Sequence, residues 1–300
     1  MSERVNNIQR SRPRGLFVGL STIDLTYHIE NLPRRNAKVS ASSQEIAAGG
    51  PATNAALTFA FLGGKSCLVS GVAKNPLSTV IRQELERFSI CLYDLARDRE
   101  EAPPVSSIFV LPGGERTIIS ANANAFERVD IEPEPAWVDE SEIVLVDGHY
   151  MSACQTLAAS AHRKSIHVVF DGGSWKHGTD ALLPTIGTAV CSSDFRPPGC
   201  KNEGDVITFL RDHGIRQIAI TRGANPVVYV NNDLFGEVPI SAAHVIDTTG
   251  AGDVFHGAFC YRFCHLNHDF RASLEFAARI ATFSCGFPGT RSWMTAFPTN

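Results

Sequence analysis

Short unbroken runs of β-branched and apolar residues, each trailed by an amphipathic stretch, set the strongest limit on how this chain can fold. LFVGL, CLVSGV, IVLVD, HVVFD, TAVCS and QIAIT carry no polar alternation, so strands built from them must be buried on both faces. ATNAALTFAFLG, LSTVIRQELERF, ACQTLAASAHRK and DVITFLRDHG have helical periodicity and lie between them, the first closed by Gly63. A βα alternation of this kind predicts an α/β fold: a three-layer α/β/α sandwich around a mainly parallel sheet.

Two stretches break the rhythm. Residues 22–46 mix polar and apolar positions around a Pro-Arg-Arg-Asn turn, and residues 105–121 read as a hairpin with Pro-Gly-Gly at its tip. Both are expected to form antiparallel strands of a small β-sheet lid that closes over a substrate. Residues 1–13 are expected to be a disordered tail, leaving 14–300 as one domain.

Composition narrows the function. A net charge of −4 offers no basic face for a phosphate backbone, which argues against nucleic acid as a partner. No apolar run reaches the ~18 residues that would suggest a membrane span. Eight cysteines without a Cys-x-x-Cys pair fit free thiols in a reducing cytoplasm, and the ten histidines show no metal-type clustering.

DTTGAGDVFHGAF, residues 247–259, carries the chemistry. Gly250 and Gly252 permit positive φ and close approach of a ligand, and a helix starting near Gly252 or Asp253 would turn unpaired amides toward an anion. The stretch lacks the Gly-Lys-Ser/Thr ending of a Walker loop, and Phe255 stands where a dinucleotide fingerprint has its third glycine. Asp253 is either a helix cap or a base that takes a proton from an attacking hydroxyl. AAGGPATNAAL, residues 47–57, puts Gly49 and Gly50 before a helix that carries Asn54 on its first turn, a tight turn or a grip for hydroxyls. Asp24 follows the first strand, a turn residue or a ligand contact.

Together, Gly19 to Asp24 as G-x-x-x-x-D, Gly49-Gly50 with Asn54 as GG-x-x-x-N, and Asp247 to Phe255 as DTxGAGD-x-F resemble the PfkB, or ribokinase-like, family of carbohydrate kinases over about residues 14–292. The resemblance implies transfer of the γ-phosphate of ATP to a sugar or nucleoside hydroxyl. It implies Asp253 as general base, with the backbone of Gly250, Ala251, Gly252 and Asp253 as anion hole. Asp24, Gly50 and Asn54 would grip the sugar, and Thr221 and Gly223 would match the T-x-G of the ATP side. Asp247 and Thr249 fall in the region that binds a monovalent cation, K+, in several members. DTTGAGDVFHGA and GERTII look like ketohexokinase-like and sulfofructose-kinase-like members, which suggests a ketose or related acceptor and places Arg116 either near the substrate or on the plain surface.

The chain departs from the family pattern in places. Ser193 and Arg196 occupy the two positions of the magnesium-linked N-x-x-E, leaving Asp194 as the nearby carboxylate for Mg2+. Pro226 replaces a glycine of the nucleotide loop, and position 73 is alanine. The expectation is an ATP- and magnesium-dependent sugar kinase, cytoplasmic, dimeric through the lid. A nucleoside kinase of the same fold and a catalytically weak sugar- or nucleotide-binding regulator are the other readings.

Overall fold

The structure is a computed structural model, and it describes residues 12–121, 131–266 and 268–298. Most of the tail expected over residues 1–13 lies outside the described residues. The parallel strands are β1 (Arg14–Val18), β4 (Lys65–Ser70), β5 (Cys91–Asp94), β8 (Ile143–Val146), β9 (His167–Gly172), β10 (Thr188–Ser192) and β11 (Gln217–Arg222). A hairpin, β12 (Asn225–Asn231) and β13 (Leu234–Val238), extends the sheet antiparallel. The order across all nine is β13-β12-β11-β10-β9-β8-β1-β4-β5.

Successive residues of one strand feed two cores, as the pleat requires. Phe17, Leu145, Val169 and Val190 join the cluster beneath α1 (Pro51–Phe61), α6 (Ala251–His265) and α7 (Phe270–Ser284), with α8 (Ser292–Ala296) at its margin. Their neighbours Leu16, Val18, Val144, Val168 and Ala189 face the other way, under α3 (Met151–Arg163) and α5 (Glu203–Asp212). α2 (Ser78–Arg87) buries Ile81 and Leu85 in the first cluster. Helix starts follow local chemistry: Asn202 and Asp205 form a capping box at α5, and the Asp269 carboxylate accepts from the Ala272 amide at 3.0 Å to open α7.

The two irregular stretches form one separate sheet, ordered β3 (Ser43–Gly49), β2 (Thr22–His28), β6 (Val105–Val110), β7 (Arg116–Ala121). It is mixed rather than wholly antiparallel. Each stretch is a hairpin, and the hairpins join through their first strands, which run the same way, with Asp24 opposite Ser106 and Tyr27 opposite Phe109. Alternation then sorts the faces. Asp24, Thr26, His28, Glu45 and Arg116 share one face, and Leu25, Tyr27, Ile46, Phe109 and Ile119 share the other. All eight cysteines are free thiols, and no helix among the described residues is long and apolar enough to cross a membrane.

Candidate active site

Asp24, Asn54 and Asp253 come from three elements that meet where the small sheet joins the large one. Asp24 stands on β2 against the Gly49-Gly50 turn that starts α1. A methyl group at Gly49 would lie 1.9 Å from the Asp24 carboxylate, and one at Gly50 would lie 2.3 Å from the Leu20 carbonyl, where φ is already +92°. The two glycines therefore serve both an approach and a turn. Pro51 occupies the first helical position, where its missing N–H costs nothing. Asn54 follows on the first turn of α1 and donates from Nδ2 to Asp253 Oδ2 at 2.7 Å. Its own Oδ1 is buried without a partner among the described residues.

α6 begins at Ala251, slightly earlier than the sequence suggested, because Gly250 adopts the left-handed conformation (φ +70°) and closes the loop as N-cap. The Ala251 amide turns back to the Thr248 carbonyl at 3.3 Å, and Val254 bonds Gly250 at 2.9 Å. Gly252 and Asp253, the second and third residues of the helix, have no carbonyl one turn behind them within it, so the helix leaves their amides without a partner of its own. An anion there would meet two donors and the positive end of the helix dipole.

Burial pushes the Asp253 carboxyl up to about 7; the nearby Asp171 carboxylate adds to the rise, while the Asn54 hydrogen bond and His256 oppose it. Asp24 is also raised, chiefly by burial, against the pull of the Thr22 hydroxyl, whose bond to Oδ1 is 2.6 Å. A carboxylate poised near neutrality, beside unpaired amides, can accept a proton while charge builds on a neighbouring anion.

Ser193 and Thr221 lie at the ends of adjacent strands, with the Ser193 amide on the Thr221 carbonyl at 2.9 Å. Gly223 turns the chain from β11 into β12 at φ +60°. These are carboxyl ends of strands in an open sheet, where such folds bind ligands. Asp194 stands on an exposed loop, its amide bonded to Ser192 Oγ at 3.1 Å. Among the described residues no group of three or more His, Cys, Asp or Glu side chains could hold a metal ion. Asp247 is committed through both oxygens, to the Thr249 amide at 2.8 Å and the Gly289 amide at 2.9 Å, while Thr249 Oγ1 is buried without a partner.

Arg116 is exposed, yet its guanidinium is engaged. It donates to the Thr248 carbonyl at 3.0 Å and to Thr248 Oγ1 at 2.6 Å, and that hydroxyl donates to the Gly114 carbonyl at 2.9 Å. The lid tip thereby rests on the glycine loop. Sequence reasoning put Asp171 near a predicted strand end but left it out of the site, and it missed His256, Glu84 and Arg291. An aspartate ending the buried run HVVFD was the available signal for the first, since a carboxylate continuing an apolar strand is costly unless it is used. The other three reveal themselves only through contacts distant in sequence.

The description "pfkB family carbohydrate kinase" matches residues 14–296. The deoxyribokinase of Salmonella typhi is 24% identical over 300 residues, covering 92% of this chain and 93% of that protein. The ribokinase of Mus musculus is 23% identical over 298 residues, covering 92% and 90%. Among solved structures, Arabidopsis thaliana ribokinase complexed with ribose and ATP superposes with a TM-score of 0.75 at 20% identity, covering 95% of this chain and 98% of that one.

Proposed function

The chain belongs to the pfkB family of carbohydrate kinases, and from that premise we propose that it transfers the γ-phosphate of ATP to a hydroxyl of a small sugar, a ketose or related carbohydrate, with Asp253 as general base. The observation that carries the reading is the Asn54–Asp253 contact: Nδ2 is committed to the carboxylate, which leaves a buried Oδ1 with nothing to accept from. A hydroxyl donor supplies what that oxygen lacks, and Asp24 supplies a second acceptor on the same side.

In this mechanism Asp24 and Asn54 hold the acceptor so that one hydroxyl faces Asp253. The carboxylate takes the hydroxyl proton as the new O–P bond forms, and the bond from phosphorus to the ADP oxygen breaks. The Gly252 and Asp253 amides hold the charge spread over the phosphoryl oxygens. Ser193, Thr221 and Gly223 line the nucleotide side. Magnesium enters with the nucleotide as Mg-ATP. Asp247 and the orphaned Thr249 hydroxyl would hold a monovalent cation such as K+, which would supply fixed positive charge behind the anion loop.

The lid aromatics do not favour a nucleoside acceptor. Tyr27 and Phe109 stack on each other, centroids 5.7 Å apart, on the face opposite Asp24. With Ile46 and Ile119, 54% and 62% exposed, they make that outer face apolar, which supports a homodimer joined through the lids.

The test is ADP release from Mg-ATP across ketoses, pentoses, sugar phosphates and nucleosides, with Asp253→Asn measured in parallel. Loss of the base is expected to lower turnover about 10³-fold. Sugar-dependent turnover left unchanged in Asp253→Asn would refute the assignment. Binding of a sugar without any turnover would leave the regulator reading.

A further inference from the structure

Beneath the glycine loop lies a buried pair that the transfer step does not use. His256 sits three residues beyond Asp253, one helical turn on, and Asp171 is the last residue but one of β9; their side chains are 6% and 7% exposed. His256 Nδ1 lies 2.7 Å from the Gly252 carbonyl and 3.5 Å from Asp171 Oδ2, and Nε2 lies 3.1 Å from the Val190 carbonyl. Every polar atom around the ring is an acceptor. The ring thus bridges the Gly252 and Val190 carbonyls, with the Asp171 carboxyl beside Nδ1.

The contact with Gly252 reaches the reacting centre through one peptide bond. That peptide is planar and trans, so the direction of its C=O fixes the direction of the Asp253 N–H on its other side. Holding the Gly252 oxygen from below aims the Asp253 amide into the cleft above.

We propose that the His256–Asp171 pair is a positioning element for phosphoryl transfer, in which His256, held beside Asp171, fixes the Gly252–Asp253 peptide and so aims the Asp253 amide. The inference rests on the base assignment above. Asp171 and Asp24 raise the Asp253 carboxyl, and His256 opposes them. The groups facing Asp171 are His256 and Cys260 of α6, Asp147 beyond β8, His149 and Lys176 in the following loops, and Cys191 of β10. Asp24 and Asn54 complete the surroundings of Asp253.

Substitution of His256 separates this role from a mere pin between α6 and β10. His256→Asn should lower the plateau kcat about tenfold with the acceptor KM changed less than about threefold, the mark of an interaction made in the transition state. His256→Gln is measured beside it, so that one folded variant suffices, and thermal unfolding scores folding separately. A kcat that holds while Tm falls overturns the proposal. Full turnover in Asp253→Asn overturns the base assignment itself. Loss of turnover there, with the kcat of the His256 variants unmoved, overturns only the pair.

Discussion

Glu84 and Arg291 offer a perturbation whose size can be worked from the structure. Glu84 projects from α2 and Arg291 precedes α8, and the two form an ion pair with side chains only 14% and 13% exposed. Between them they grip a single residue of β3. Glu84 Oε2 accepts from the Ala48 amide at 2.8 Å, and Arg291 Nη2 donates to the Ala48 carbonyl at 2.8 Å. Glu84→Ala leaves a guanidinium nearly buried without its carboxylate, a loss of about 3–5 kcal/mol when burial is complete. It also strands the Ala48 amide, at about 1–3 kcal/mol. Residual exposure lets water recover part of both, so about 3 kcal/mol is expected, or a fall in Tm of about 6–9 °C at ~2–3 °C per kcal/mol. Arg291→Ala should cost about the same. The double variant removes both charges together and should cost about 4 kcal/mol, giving a coupling of about 2 kcal/mol. Urea unfolding of all four proteins measures the cycle. Ala48 adjoins the Gly49-Gly50 turn that admits Asp24, so the acceptor KM should rise in the single variants while the ATP KM stays put. Single variants costing less than about 1 kcal/mol, or strictly additive ones, would refute the reasoning.

Two further outcomes can be measured directly. Gly250→Ala places a methyl group at φ +70° and 2.8 Å from Thr290 Cγ2, a strain of about 1–2 kcal/mol at the N-cap of the anion loop; initial rates should show kcat reduced by about tenfold or more. His167 is held down to about 4 by burial, with His268 beside it, so between pH 6.5 and 4 the unfolded chain binds a proton that the folded one refuses. Stability from this group is therefore full above pH 6.5 and lost as pH falls through 4, by at most about 1.4 kcal/mol per pH unit. Urea midpoints at pH 7 and pH 5 should differ less in His167→Gln than in the wild type.

What the sequence revealed was what local chemistry determines. DTTGAGD could be read because a glycine in the left-handed region, unpaired first-turn amides and a carboxylate all occur within seven residues. Gly49, Gly50 and Asn54 could be read for the same reason, and the structure explains the first two by the Asp24 carboxylate and the Leu20 carbonyl that crowd them. The lid strands were visible, yet their pairing was not. Two hairpins far apart in the chain can meet by either edge, and nothing within 22–46 or 105–121 says which. The pleat of β2 alone turns Tyr27 away from Asp24, but only the pairing brings Phe109 beside it. Arg116 was left between substrate and surface, since its partner Thr248 lies 132 residues on. His256 read as one more residue of an apolar helix, because its meaning depends on β9 and β10 passing beneath it.

Unmet polarity supports the proposed site independently of any motif. Where the fold buries polar groups for structure, it pairs them, as Thr188 Oγ1 does with Gln217 at 2.8 Å and Ser21 Oγ with Thr53 at 2.7 Å. Three buried side-chain atoms lack a partner among the described residues: Asn54 Oδ1, Ser70 Oγ and Thr249 Oγ1. Two of the three border the loop between Asp247 and Asp253, one on the acceptor side and one beside Asp247. The raised carboxyls of Asp24, Asp171 and Asp253 gather around the same loop. Each represents stability forgone in the free protein, and a hydroxyl donor, a cation and a proton to be accepted are what would restore it. A chain selected only to fold would have filled the Asn54 and Thr249 positions with apolar residues or completed their hydrogen bonds; leaving both open around one loop supports the proposed binding and transfer.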